Sequence, residues 1–153
     1  MGAGIEPIGV VEGGRTEVVD DEWGDVEATI VLDGSVLEPD AAQRLEEFSH
    51  IEVVYLFHLV EAGAVVRGAR RPRGNPEWPE VGILAQRAKA RPNRIGVSRC
   101  ELVGVDGLTL RVRGLDAVDG TPVLDVKPYM VEFAPRGPVV QPEWASDLMR
   151  HYW

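Results

Sequence analysis

Three aspartates crowd one short stretch, Asp116, Asp119 and Asp125, with Lys127 and Tyr129 close behind them. Carboxylates so spaced can offset a bound cation, hold hydroxyls, or take up a proton as a bond forms. Asp119-Gly120 reads equally as a turn in which the Asp side chain bonds its own backbone. A turn accounts for Asp119 alone and leaves Asp116, Asp125 and Lys127 without a reason. Arg87 and Arg91 form a second group. A guanidinium grips a carboxylate or phosphate through two parallel N–H donors. Pro92 keeps Arg91 out of helical backbone, so Arg91-Pro92-Asn93 holds a defined turn; Asn93 can bond backbone within it. His58 ends an apolar run, either as a ligand contact or as a core residue with one satisfied hydrogen bond.

Charge is unevenly spread. The window from Arg67 to Arg99 holds nine bases (Arg67, Arg70, Arg71, Arg73, Arg87, Lys89, Arg91, Arg94, Arg99) against two acids (Glu77, Glu80), so it carries +7 in a chain of net −9. A basic window on an acidic body can meet an anionic ligand locally while the body repels other polyanions. The same arginines can instead pair with the acidic remainder.

Several familiar chemistries are missing. There is no glycine fingerprint of a dinucleotide fold and no phosphate loop ending in Gly-Lys-Ser/Thr. The three histidines, His50, His58 and His151, lack metal-ligand spacing, and the single cysteine, Cys100, cannot build a zinc site. No metal is expected. A lone thiol fits a reducing compartment. The opening Met-Gly-Ala-Gly-Ile-Glu-Pro has no basic and apolar leader pattern, so no secretory signal is expected. Apolar runs such as Val53 to Val60 are too short to span a bilayer.

The elements that must position these residues are mostly short strands. Ile5 to Val11 reads as a first strand. Val26 to Leu32 alternates, with Val26, Ala28, Ile30 and Leu32 on one face. Ile51 to Val60 has the composition of a central strand buried on both faces. Val81 to Ala85 reads as a short strand, and Val123 to Met130 as another. Ile95 to Val105 and Leu108 to Val112 form a hairpin around Asp106-Gly107, a strong turn signal. A helix is expected over Pro39 to Phe48, with Asp40 and Gln43 as a capping box, and a shorter one over Glu143 to Tyr152. Residues 61–78, rich in Gly, Arg and Pro, read as an exposed loop. The expectation is a single mainly-β domain over 1–153, a small closed or partly open β-barrel with one or two short helices.

Three blocks carry a family resemblance: Leu45-Glu46-Glu47-Phe48-Ser49-His50-Ile51 with Tyr55-Leu56-Phe57-His58; Gly82-Ile83-Leu84-Ala85-Gln86-Arg87 running into Arg91-Pro92-Asn93-Arg94-Ile95-Gly96-Val97-Ser98; and the stretch from Gly114 to Tyr129, with its three aspartates, Thr121-Pro122 and Lys127-Pro128-Tyr129. With Ile8-Gly9-Val10-Val11, they resemble the TrmO-like (YaeB/TsaA) family. The resemblance implies a cytoplasmic β-barrel homodimer that binds S-adenosylmethionine and methylates N6 of threonylcarbamoyl-adenosine beside the tRNA anticodon. It implies donor contacts from His58, Leu59, Arg87, Arg91, Leu115, Asp116, Ala117 and Val118. It implies substrate contacts from Arg91, Asn93, Arg94 and Lys127, with Asp116, Asp119 and Tyr129 at the chemistry. Arg94 stands where the family has proline, and Gln86 where it has threonine. Two other readings stay open: a methyltransferase for a small molecule or another nucleoside, and a non-catalytic module that keeps the donor pocket.

Overall fold

A computed structural model describes residues 4–153. Strands β1 (Gly9–Glu12), β2 (Glu27–Leu32), β3 (His50–Leu56), β6 (Ile95–Asp106), β7 (Thr109–Arg113) and β8 (Pro122–Pro128) close into a barrel in the order β1-β2-β7-β6-β3-β8. All neighbours are antiparallel, and β8 returns to β1 through Gly9 opposite Val123. Between them, β4 (Ala69–Arg70) and β5 (Val81–Gly82) form a separate two-stranded pair. One helix, α1 (Glu143–Leu148), follows the barrel among the described residues.

Alternation closes the barrel. Ala28, Ile30 and Leu32 of β2 point inward, as the pattern predicted. Val11, Ile30, Ile51, Val53, Leu110, Val112, Leu115 and Val123 fill the interior with side chains almost wholly removed from water. Most are β-branched, which suits the pleated surface and stiffens the packing. The hairpin around Asp106-Gly107 is present, its first arm one residue longer and its second shifted by one to Thr109–Arg113. Shifts in pairing between Leu102 and Gly104, and between Val54 and Tyr55, bend the sheet as closure requires.

Several expectations change. The helix expected over Glu143 to Tyr152 ends at Leu148, and the stretch 61–78, read as a loop, carries β4 and two 3₁₀ turns. The strand read over Ile51 to Val60 stops at Leu56, and only every second residue is buried; its other face, with Glu52 and Val54, is half-exposed. An antiparallel barrel has one core face, so burial on both sides is not available to it. Val81 to Ala85 is strand only to Gly82; a 3₁₀ turn follows over Ile83–Ala85 and leaves Leu84 exposed. The first strand begins at Gly9 rather than Ile5. The helix over Pro39 to Phe48 is replaced by successive tight turns and a single 3₁₀ turn at Leu45–Glu47. Arg44 there has φ 69°, a left-handed backbone that no α-helix continues through. Only Ala42 of this segment is buried, too little apolar contact to offset helix nucleation.

Ile51→Ala should cost about 2–5 kcal/mol by cavity formation, read as a lower urea midpoint at unchanged slope. Asp40→Ala should change stability by less than about 0.5 kcal/mol, because Asp40 caps no helix. A large loss for Asp40→Ala would restore the helix.

Candidate functional site

The site begins at the end of β3. Tyr55 points inward at 2% exposure, and its ring lies over Gly96 of β6, its partner in register. A Cβ at Gly96 would stand 2.5 Å from that ring, so no other residue fits. Phe57 meets the ring edge-on at 5.3 Å between centroids. From this seat the Tyr55 hydroxyl donates to the carbonyl and to Oδ1 of Asp116, each at 3.1 Å.

Asp116 sits just after β7. Gly114 turns the chain with φ 82°, a conformation open to glycine. Residues 115–118 then run outside any strand, with Leu115 and Ala117 buried beneath them. Among the described residues, no hydrogen bond engages the amides of Leu115, Asp116, Ala117 or Val118. The segment ends in a turn closed by the Thr121 hydroxyl, which donates to the Val118 carbonyl at 2.7 Å.

The second Asp116 oxygen, Oδ2, accepts the hydroxyl of Tyr152. Tyr152 arrives from the far end of the described chain. Its carbonyl accepts the Trp23 amide at 2.8 Å and the preceding His151 carbonyl accepts that of Glu22 at 2.9 Å. Further back, Trp78 Nε1 donates to Asp147 of α1 at 2.9 Å. Burial, and then the Asp116 charge, push both phenols well above the ordinary tyrosine range; the Arg87 guanidinium works against that rise at each. Burial and Asp116 likewise push the Cys100 thiol up to about 12.

The remaining sequence-derived residues fall in different places. Asp119 ties two loops together: Oδ1 accepts the Gly13 amide at 2.8 Å, and its own amide donates to Arg15 at 2.7 Å. His58 lies beside the same turn, its Nε2 3.7 Å from where a Cβ on Gly120 would stand. Arg87 is exposed and donates to the Val97 carbonyl at 2.7 Å. Arg91 spends one amino group on the carbonyls of Gln86, at 2.7 Å, and Ala88, at 3.3 Å. Arg94 has φ 52° and donates to the Val60 carbonyl at 2.7 Å. Proline is fixed near φ −65°, so this turn is closed to it. Asn93 and Leu59 are exposed.

Tyr129 and Lys127 stand apart from Asp116. The Tyr129 amide bonds the His50 carbonyl at 2.9 Å, at the other end of β3 from Tyr55. That separation is roughly 16 Å of extended chain. The Arg99 guanidinium stacks over the Tyr129 ring at 4.8 Å, and Lys127 pairs with Asp125 at 3.2 Å. Within the basic window, Arg73 pairs with Asp21 at 2.9 Å, Lys89 approaches Asp20 at 4.0 Å, and Arg99 pairs with Glu52 at 3.3 Å. An open cleft of about 810 Å³ lies between the 14–22 loop and Arg73. It borders the Asp119 turn through Arg15, and neither Asp116 nor Arg87 lines it. Among the described residues, no group of three or more His, Cys, Asp or Glu could hold a metal, and no helix is long and apolar enough to cross a membrane.

A family model, the tRNA-methyltransferase O N-terminal domain, matches residues 20–134. The chain belongs to this family. A probable S-adenosyl-L-methionine-binding protein of Methanothermobacter thermautotrophicus is 48% identical over 93 residues, covering 59% of this chain and 61% of the relative. A tRNA (adenine(37)-N6)-methyltransferase of Escherichia coli (strain K12) is 41% identical over 99 residues, covering 61% of this chain and 41% of the relative. The chain therefore spans roughly half the length of the curated relatives it matches. The crystal structure of TrmO from Pseudomonas aeruginosa superimposes with a TM-score of 0.74 at 28% identity, over 92% of this chain and 61% of that one. Of the closed or partly open β-barrel expected, the closed form is present. The sequence singled out Asp116 and Arg87 but passed over Tyr55 and Tyr152. Tyr55 lay within a quoted block; Tyr152 had no motif to mark it, and it lies outside the residues that match the family.

A phenol whose proton is held more tightly folded than unfolded stabilises the fold below the ordinary tyrosine range. That contribution is lost as pH rises past about 10, where the unfolded tyrosine ionises and the folded one does not. Thermal unfolding between neutral pH and pH 11 should show this loss, and the double variant Tyr55→Phe, Tyr152→Phe should flatten it. An equally steep alkaline loss in that variant would reject the assignment.

Proposed function

We propose that the chain is an S-adenosylmethionine-dependent methyltransferase acting on N6 of threonylcarbamoyl-adenosine beside the tRNA anticodon, in the cytoplasm. The observation that carries this reading is the 115–118 segment: free backbone amides next to a carboxylate held by two phenols, with a guanidinium at its rim. The donor's chemistry fits that set. Amides without a partner can bond acceptors on an adenine edge, and Leu115 and Ala117 back the segment with apolar surface. Asp116 offsets positive charge on the donor's amino or sulfonium group, or bonds its ribose hydroxyls. In this reading Arg87, with His58 and Leu59, meets the donor's carboxylate. Bound there, S-adenosylmethionine supplies a methyl group activated by its sulfonium charge.

Exocyclic N6 is a weak nucleophile because its lone pair is drawn into the ring, so its proton needs an acceptor as the bond forms. Asp119 Oδ2, the oxygen not bonded to Gly13, is one such acceptor; Asp116 is the other. Arg91, Asn93 and Arg94 form the turn that faces substrate phosphates, and Arg91 and Arg94 keep donors beyond those spent on carbonyls.

Tyr129 and Lys127 join the same site only across a homodimer. Met130, Val131 and Phe133, beside Tyr129, are exposed, and two copies pairing there would cover them. Light scattering at micromolar concentration should give a dimer mass, and Phe133→Asp should reduce it to a monomer. A wild-type monomer would remove Tyr129 and Lys127 from the site.

The pairing of Arg73, Lys89 and Arg99 with acids favours a second reading, in which the substrate is a smaller nucleoside. Calorimetry should show S-adenosylmethionine binding, with Arg87→Ala weakening it about tenfold, the size of a charge-assisted contact, at unchanged thermal stability. Labelled methyl transfer should then appear in bulk tRNA from cells lacking this methylation. Donor binding with transfer to free nucleoside alone would favour the second reading; no donor binding would reject both.

A further inference from the structure

We propose that Tyr152 is a positioning residue of the donor site: carried on a strap outside the family-matched residues, it fixes the Asp116 carboxylate from the side opposite Tyr55. The inference rests on the reading of Asp116 as the donor's carboxylate contact.

Two separate ties hold the strap on its way to Asp116. Trp78 Nε1 holds α1 through Asp147, and the carbonyls of residues 151–152 accept the amides of Glu22 and Trp23. Within the strap the Tyr152 ring packs edge-on against Trp153 at 4.8 Å. Gly24 lies so close beneath that a Cβ there would meet the Trp153 backbone at 2.9 Å. Ordering a segment outside the barrel costs chain entropy, and this one is held at two points besides the Tyr152 hydroxyl.

The hydroxyl is used with economy. A carboxylate offers about four lone-pair positions, and here each Asp116 oxygen accepts one phenol. Each oxygen therefore keeps a lone-pair position beyond its phenol, so donor binding does not require Tyr152 to leave. With one phenol alone, the carboxylate could rotate about its Cβ–Cγ bond; with two, its plane is set. Arg87, whose charge is felt at both phenols, stands on the same cluster. Prealigned polar groups bind a charged ligand more tightly because less order is lost on binding.

Calorimetry of S-adenosylmethionine against wild type, Tyr152→Phe, Asp116→Asn and the double variant decides the matter, with thermal unfolding confirming the fold. Tyr152→Phe keeps the ring and removes only the hydroxyl. It should raise Kd roughly tenfold, the scale of one hydrogen bond to a charged group. In the Asp116→Asn background it should have no further effect, which a purely structural role would not produce. Trp78→Phe, which frees the strap at its other end, should weaken binding in the wild-type background and not in Tyr152→Phe. An unchanged or lower Kd for Tyr152→Phe, with the wild type binding normally, overturns the inference; a lower Kd would make the strap a plug. Additive losses in the double variant also overturn it. Absence of donor binding by the wild-type protein removes the donor reading itself.

Discussion

A carboxylate half-sunk at the rim of an apolar barrel must be given hydrogen-bond donors, and the rest of the site follows from that. Removing a charge from water without partners costs several kcal/mol or more. The barrel supplies one donor from inside, Tyr55, on a strand whose register is set by the core. That placement in turn requires Gly96, because any side chain there would occupy the phenol's ring space. The glycine in the Arg91 to Ser98 block is thus a consequence of Tyr55, and Tyr55 a consequence of Asp116.

Several residues whose types suggest chemistry also hold the loops. Asp119 joins the β1–β2 loop to the turn before β8, Arg91 staples the crossing from β5 to β6 through its own carbonyls, and Arg94 ties that crossing to the loop after β3. Charged side chains serve well here because loops expose unpaired carbonyls and amides that strands would have satisfied. A positioning duty does not compete with a binding duty when donors remain: a guanidinium has five N–H groups, and these bonds use one amino group of each arginine.

The barrel was legible because its signals were local. Alternation in β2 and the Asp106-Gly107 turn state their geometry within a dozen residues. The 39–48 segment was misread because its cap-like Asp40 and spaced apolar residues satisfied a helical template, while burial, which no short window shows, decided against it. Val81 to Ala85 failed for a similar reason: β5 has a partner only two residues long, so strand pairing ends where the partner does. In the candidate site, Asp116 and Arg87 stood in a recognisable block. Tyr152 could not be found that way, since its contact joins positions 36 residues apart and the short helix read before it says nothing of where its hydroxyl goes.

The charge distribution acquires a physical meaning only in three dimensions. The basic window suggested a face for a polyanion, yet Arg73 and Lys89 are turned toward Asp20 and Asp21, and Arg99 toward Glu52. These pairs are partly exposed and contribute little stability each. Their effect is on the field: they offset three of the window's nine cations and leave Arg67, Arg70 and Arg71 before β5 and Arg87, Arg91 and Arg94 around the 86–96 turn. A general polyanion surface would spread its charge widely and bind without selection. Three of the six cations without an acid partner stand at one turn, on a body of opposite sign, and this favours an anion that can present itself to that turn, as an exposed loop of a folded nucleic acid or the carboxylate of a small ligand does.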